Sequence, residues 1–466
     1  MIKTCLKGSI KLIILCVSIL VCLFFSSEIL RPIDLESKDN TQEKVDGFYA
    51  LDKNSLNVLV LGTSHSYYAF NPAILWHETG LTSYVFAGQC QPIEVTYYYL
   101  LEALKTQSPE VVILDIFALG NQSTMCQTEG TYRVNIQDLN FGENKYNAYK
   151  LLDNQNAIEN LFDVSLYHER VTDLDFNSLE NPLTRKFNPS FGYSLNYPKN
   201  QITWDRNELD ISERVKPDSR RMEYLYKIMD VLEKKGIPLI LIKTPYYIDD
   251  EDAKIYNSIW DVAEEKNIPV IDFNQKLKEL NFIFDIDGDS WHTNARGAMK
   301  VTSYIANELL EKYSFSENYE QYNAQYQVEY AKTLYALYSR QFNFEILRDY
   351  FDSTGVTVLI NYNKKGPIEL NNEDLSNYQS LGIDFSLANQ LISYRNHEFV
   401  IEDDEINLEV NNHHYKLDSN GDLWIDNQWI NSQDTSLKFI VIDNETGYLV
   451  DNFQIDFLDQ LYIYRK

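Results

Sequence analysis

Two short stretches of this chain hold residue types that can do chemistry together. The first is Leu61-Gly62-Thr63-Ser64-His65-Ser66, where a serine follows an apolar run by two residues, just past a glycine. A serine so placed can sit on a tight turn with its hydroxyl at the end of a strand. The helix that follows would then offer the positive end of its dipole to a developing oxyanion. The plain alternative is that Ser64 merely caps that helix. The second stretch is Asp289-Ser290-Trp291-His292-Thr293-Asn294-Ala295-Arg296-Gly297. An aspartate three residues before a histidine can fix the imidazole through one ring nitrogen. The other nitrogen is left to take a proton from a serine hydroxyl. With only seven histidines in 466 residues, the combination points to Ser64 as nucleophile, His292 as general base and Asp289 as its orienter.

The surrounding pattern supplies elements able to hold such a set. Asn57-Val58-Leu59-Val60-Leu61, Tyr84-Val85-Phe86-Ala87, Val111-Val112-Ile113-Leu114, Pro238-Leu239-Ile240-Leu241-Ile242 and Ile268-Pro269-Val270-Ile271-Asp272 are short runs apolar on both faces. Helical spacing separates them at 93–106, 219–235 and 251–266, and a closing helix is expected at 296–312. That alternation predicts an α/β fold with a parallel sheet between helices. Residues 120–215, rich in Asn, Tyr and Asp, interrupt it and read as an insertion at the carboxyl end of a strand, where ligands bind in such sheets. From about residue 346 the segments are short and alternating, as in Val356–Ile360, Glu398–Ile401 and Leu437–Ile442, with turn signals such as Asn420-Gly421-Asp422. A C-terminal, mainly β domain is predicted there.

The chain divides into a cytoplasmic tip and transmembrane anchor (1–31), a polar stalk (32–50), the α/β domain (51–315), a helical connector (316–345) and the β domain (346–466). Lys3, Lys7 and Lys11 precede the run Leu12 to Leu30. Nineteen helical residues span roughly 28 Å, the thickness of a hydrocarbon core. The basic residues place the N-terminus in the cytoplasm and the bulk outside the cell membrane. The exit sequence Phe25-Ser26-Ser27-Glu28 lacks a signal-peptidase pattern. Formal charge is -28, which argues against a nucleic-acid partner. Cys90 and Cys126 are the only cysteines beyond the leader; one bond between them is open, a disulfide scaffold is not.

Other candidates carry less. His65 either contacts substrate or shapes the turn. His168 and Arg170, in Tyr167-His168-Glu169-Arg170, would supply a cation to an anionic or sugar substrate, or form ion pairs on a surface helix. Lys243 ends a buried strand and either faces the cleft or reaches solvent. Asp285-Ile286-Asp287-Gly288-Asp289 is a poor calcium loop, because its glycine is misplaced and Arg296 stands where a bidentate Glu belongs. His413-His414 lacks further ligands at metal spacing. No metal and no cofactor is expected.

The Gly-Thr-Ser block near the start and the Asp-x-x-His block at the domain's end together resemble the SGNH/GDSL hydrolase superfamily over about residues 55–312. The resemblance implies Ser64, His292 and Asp289 as the triad. It implies the amides of Ser64 and of Gly88, in Phe86-Ala87-Gly88-Gln89, as oxyanion donors. The third block, Gly-x-Asn-Asp, is absent as such, so Gln89 or Asn121 would have to provide the remaining donor. The Gly-Thr-Ser-His variant is similar to membrane-anchored cell-envelope proteins of Gram-positive bacteria that take part in teichoic-acid D-alanylation or polysaccharide O-acetyl transfer. Implied, then, is an extracellular serine esterase or O-acyltransferase acting on acyl groups of cell-envelope glycans; the first alternative is acyl transfer within a teichoic-acid modification complex, with membrane acyl-transfer proteins as partners. A non-catalytic scaffold on the same fold is the alternative from a different class. Residues 436–457 also resemble the interleukin-like EMT inducer fold, and Trp424 and Trp429 would be either core or a sugar-stacking pair.

Overall fold

The computed structural model describes residues 2–30, 41–152, 157–162, 187–196, 211–277, 279–280, 282, 285–286, 291–315, 319–338, 340–341, 355–365, 370, 372–395, 398–433, 435–444, 447, 449–457 and 462–465. Strands β1 (Val58–Gly62), β2 (Ser83–Ala87), β3 (Val111–Asp115), β4 (Leu239–Lys243) and β5 (Val270–Asp272) form one parallel sheet in the order β2-β1-β3-β4-β5. β1 to β4 are buried along their whole length. That explains their unbroken apolar sequence, since each face meets a helical layer. Leu59, Leu61, Tyr84, Phe86, Val112, Leu114 and Leu241 turn to one side and pack with α2 (Thr41–Tyr49), α5 (Ile93–Ala103) and the helices Ser219–Lys235 and Asp250–Glu265. Val58, Val60, Val85, Val111, Ile113, Ile240 and Ile242 turn to the other. There they meet α3 (Ser64–Ala69), α4 (Pro72–Thr79) and the helix Ala295–Lys312. The α/β expectation is met as a three-layer domain.

In this strand order the chain reverses its winding direction between β1 and β3, which leaves a crevice at their carboxyl ends. The register puts Gly62 beside Ala87, and Leu61 beside Leu114. The residues following β1, β2 and β3 therefore emerge at one level along one edge.

Two helices are tied to this domain more closely than the sequence suggested. Thr41–Tyr49, within the segment read as a stalk, is a helix whose Val45 and Phe48 are fully buried. Phe48 stacks on Phe86 at 4.0 Å, and the Tyr84 hydroxyl donates to the Lys44 carbonyl at 2.6 Å. Three-residue spacing of Val45, Phe48 and Leu51 makes the apolar stripe, hidden among charged neighbours. The helix Asn323–Tyr338 lies along α4, with Tyr326 fully buried and hydrogen-bonded to both the amide and the carbonyl of Ser83.

α1 (Ile2–Leu30) contains a stretch, Ser9–Ser27, long and apolar enough to cross a membrane. The C-terminal region is rich in antiparallel sheet. Seven strands run in the order β6-β16-β15-β14-β7-β8-β9: β6 (Arg340–Gln341), β7 (Val356–Asn363), β8 (Asn389–Arg395), β9 (Glu398–Glu402), β14 (Leu437–Asp443), β15 (Leu449–Asp456) and β16 (Tyr462–Arg465). A second sheet orders β10 (Glu405–Val410), β11 (His413–Asp418), β12 (Leu423–Ile425) and β13 (Gln428–Asn431) consecutively. Ile406, Leu408, Tyr415, Leu417 and Leu423 of the smaller sheet pack on Leu359, Leu391, Ile440 and Ile442 of the larger one, giving a sandwich.

Candidate active site

Ser64 owes its position to the two residues before it. Gly62 ends β1 at φ +149°, and a Cβ there would lie 2.0 Å from Ser66 Oγ and 2.9 Å from Asp115 Cβ. A side chain at this position therefore has neither the space nor the backbone conformation it needs. Thr63, not Ser64, is the N-cap of α3: its Oγ1 accepts from the His65 amide at 3.2 Å. Ser66 Oγ donates to the Leu61 carbonyl at 3.2 Å. Capping is thus carried by a neighbour, and Ser64 stands in the first turn of α3. In this turn the His65 amide is taken by Thr63 Oγ1 and the Ser66 amide by the Thr63 carbonyl.

His292 arrives from the other end of the domain on an anchored loop. An antiparallel bridge between Ile286 and Thr293 closes the loop. Thr293 Oγ1 donates to the Tyr68 carbonyl at 3.0 Å, and Asn294 caps the helix Ala295–Lys312 by accepting from the amides of Arg296 and Gly297. Beneath the bridge, fully buried Asp285 accepts from Arg296 (3.0 Å) and Lys300 (2.5 Å). With two cations on it, this carboxylate acts as a strut for the loop. The outcome is His292 Nε2 at 2.9 Å from Ser64 Oγ. Ser64 is 7 % exposed and His292 half-buried, so the pair lies near the surface without being bathed in water. Asp289, His168 and Arg170 lie outside the described residues.

His65 is buried, its ring stacked on Phe117 at 3.8 Å and edge-on to Tyr246 at 4.8 Å. Its ring centre is 5.2 Å from that of His292. Burial, reinforced by His292 and Lys243, holds the His65 pKa well below its ordinary value, so the ring is neutral at pH 7. A neutral neighbour does not oppose a positive charge forming on His292.

A layer of buried polar groups underlies the turn. Asp115, at the end of β3, has its carboxyl pushed up to about 7 by burial, against the smaller opposing pull of the Thr244 and Phe117 amides and of Lys243. Its Oδ1 accepts from the amide and hydroxyl of Thr244 at 3.4 Å, while Oδ2 has no hydrogen-bond partner among the described residues. Lys243 neither faces an open cleft nor reaches solvent. It is fully buried, bonded to Asp272 (3.2 Å) and Asn274, below the rings of Tyr246 and Tyr256. Burial lowers its pKa, and Asp272 counters that.

The expected oxyanion residues fare differently from one another. Gly88 follows β2 one residue beyond the Gly62–Ala87 pair, level with the turn that holds Ser64. A Cβ on Gly88 would meet Asn135 Oδ1 at 1.8 Å. Asn135 belongs to the insertion, in the helix Glu129–Ile136, and its Nδ2 donates to the carbonyls of Gln89 (2.9 Å) and Thr131 (2.8 Å). It clamps the Gly88–Gln89 turn, and nothing in its Asn-rich surroundings singled it out. Gln89 is exposed, its amide donating to Thr41 Oγ1 at 3.3 Å. The Asn121 side chain is exposed and its amide is engaged by Asp252, so no contact joins it to Ser64 among the described residues. Cys90 and Cys126 are disulfide-bonded, linking the loops that follow β2 and β3. Trp291 stacks with Tyr246 at 6.0 Å and meets Phe117 edge-on at 6.1 Å, an aromatic wall beside the Ser64–His292 pair that sequence spacing did not reveal.

No family model matches the chain, and no curated protein matches it. Among solved structures it is similar to a protein from Desulfitobacterium hafniense DCB-2 ascribed to the lipolytic G-D-S-L family. The two share 12% identity and a TM-score of 0.30, over 54% of this chain and 97% of that one.

Proposed function

We propose that the α/β domain is a serine esterase or O-acyltransferase of the SGNH/GDSL type. One observation carries this reading: the 2.9 Å approach of His292 Nε2 to Ser64 Oγ at the carboxyl edge of a parallel sheet. Ser64 Oγ attacks the carbonyl carbon of an ester while His292 Nε2 takes the hydroxyl proton. The tetrahedral intermediate collapses, the C–O bond to the alcohol breaks, and His292 returns the proton to the leaving oxygen. Water or a second hydroxyl then gives a proton to His292 and attacks the acyl-serine. Ser64 leaves with that proton restored. Asp289 is the proposed orienter of His292, and the Ser64 and Gly88 amides the proposed donors to the oxyanion.

We further propose that α1 anchors the chain in a cell membrane with the catalytic domain outside, and that the acyl group is carried by a cell-envelope glycan. The apolar length of Ser9–Ser27 supports the first point, and the strong acidity of the rest of the chain favours a substrate that is not itself a polyanion.

The test is labelling of the full-length protein in detergent with a fluorophosphonate, read by intact mass. A single adduct on the wild type, absent in Ser64→Ala and His292→Ala, is expected. A folded wild type that takes no adduct overturns autonomous serine catalysis.

A further inference from the structure

The outward face of the four-stranded sheet carries two tryptophans opposite one another, Trp424 and Trp429. Its pairing aligns Asn407, Lys416, Trp424 and Trp429 in one row across β10 to β13, through the registers Asn407↔Lys416, Lys416↔Trp424 and Trp424↔Trp429. Residues directly opposed on antiparallel strands share a face, and the other face of this sheet is occupied by the sandwich core. Both indoles therefore lie on the solvent side. Trp429 is 58% exposed, where an aromatic of that size would normally be covered.

The indoles are held rather than loose. Trp429 Nε1 donates to Asp422 Oδ1 at 3.4 Å. Lys416 Nζ sits 5.5 Å above the centre of the Trp424 ring and is fixed by Glu405 Oε2 at 2.8 Å. Asn407 Oδ1 is joined to His414 Nε2, which stands on the same face one row along, opposite Glu409. Two indoles on neighbouring strands, whose backbones run about 4.8 Å apart, are bordered by hydrogen-bonding side chains.

Charge narrows the occupant. Glu405, Glu409, Asp418, Asp422 and Asp426 lie on or around this face, and its one lysine is paired with Glu405. A phosphate- or sulfate-bearing polymer would be repelled. A pyranose offers the complementary chemistry: an apolar C–H face for each indole, and equatorial hydroxyls for the carboxylates and amides at the edge.

We infer that this face binds a neutral or amino-sugar glycan chain, with Trp424 and Trp429 as stacking platforms, at a site separate from Ser64. The proposal does not depend on the catalytic reading.

The experiment titrates the full-length protein in detergent with hexaoses of β-1,4-linked glucose, N-acetylglucosamine and glucosamine. Heat and tryptophan emission are followed, and heparin is the polyanion control. At least one hexaose should bind with Kd below about 1 mM, and heparin should not. Trp424→Ala and Trp429→Ala should each weaken binding at least fivefold, and Trp429→Phe less. Ser64→Ala should bind as the wild type does, which separates failure here from failure of the esterase proposal. The inference is overturned if none of the three hexaoses binds, if heparin binds more tightly than they do, or if folded Trp429→Ala and Trp429→Phe both retain wild-type affinity.

Discussion

The Ser64 turn and the outward face of the four-stranded sheet are built by opposite means. Around Ser64, position comes from burial: Gly62 with no room for a Cβ, His65 wedged on Phe117, and Asp115 and Lys243 sealed beneath. Around Trp429, position comes from strand register, and the side chains themselves stand in solvent. The difference teaches where stability and function are separable. A change beneath the turn alters the fold and the chemistry together, whereas a change on the sheet face alters binding alone.

That contrast can be broken or sharpened by substitutions of decreasing effect. Ser64→Ala and His292→Ala should each remove at least about 10³-fold of any esterase rate. Both side chains are near the surface, so the melting temperature should shift by less than about 2 °C; ester hydrolysis and calorimetry read the two quantities in parallel. Next comes Lys243→Met, which removes the cation from Asp272 and Asn274 in a dry setting. A stability loss of about 3 kcal/mol is expected by urea titration, because a carboxylate is left without its buried partner. Gly62→Ala should cost about 2 kcal/mol or more from positive φ and the clash with Ser66. If burial really couples fold to chemistry, it should also lower the labelling rate of Ser64.

Asp115→Asn is subtler and has a sign. The folded carboxyl titrates near 7, above its value of 3.8 in the unfolded chain. Between those values the folded state holds a proton that the unfolded state has released. Wild-type stability should therefore fall as pH rises from about 4 to 7 through this group. The Asn variant should lack that decline, visible as a flatter plot of melting temperature against pH. His65 contributes the opposite slope, since its lowered pKa costs stability as pH drops below the ordinary histidine value of about 6.5. The smallest effect belongs to the other region: Trp429→Ala should move stability by no more than about 0.5 kcal/mol. A larger loss would show that the exposed indole is structural after all and erase the contrast.

How much of this was legible in the sequence follows the same divide. β1 to β4 could be read because strands buried on both faces leave unbroken apolar runs such as Val58–Leu61. Ser64 and His292 could be singled out because a glycine–strand junction and a helix start are local signals, even though the residues are 228 apart in sequence. Thr63 taking the cap was not legible, since Ser and Thr are almost equivalent caps on paper. Lys243 looked like a strand-end lysine bound for solvent. Its burial depends on Asp272, Asn274 and two tyrosines gathered from elsewhere in the chain. Asn135 was invisible for the same reason, because its role exists only once the insertion folds back on Gly88.

The helix Thr41–Tyr49 has one more consequence, and it concerns reach. Because Val45 and Phe48 are sunk into the core, the α/β domain begins at Thr41, eleven residue steps after α1 ends at Leu30. Such a tether extends at most about 38 Å whatever path it takes. On the proposed anchoring, the Ser64 cleft is leashed close to the bilayer and cannot patrol the outer layers of an envelope. Its acyl carriers would be lipid-linked precursors or the innermost turns of a polymer, met as they leave the membrane.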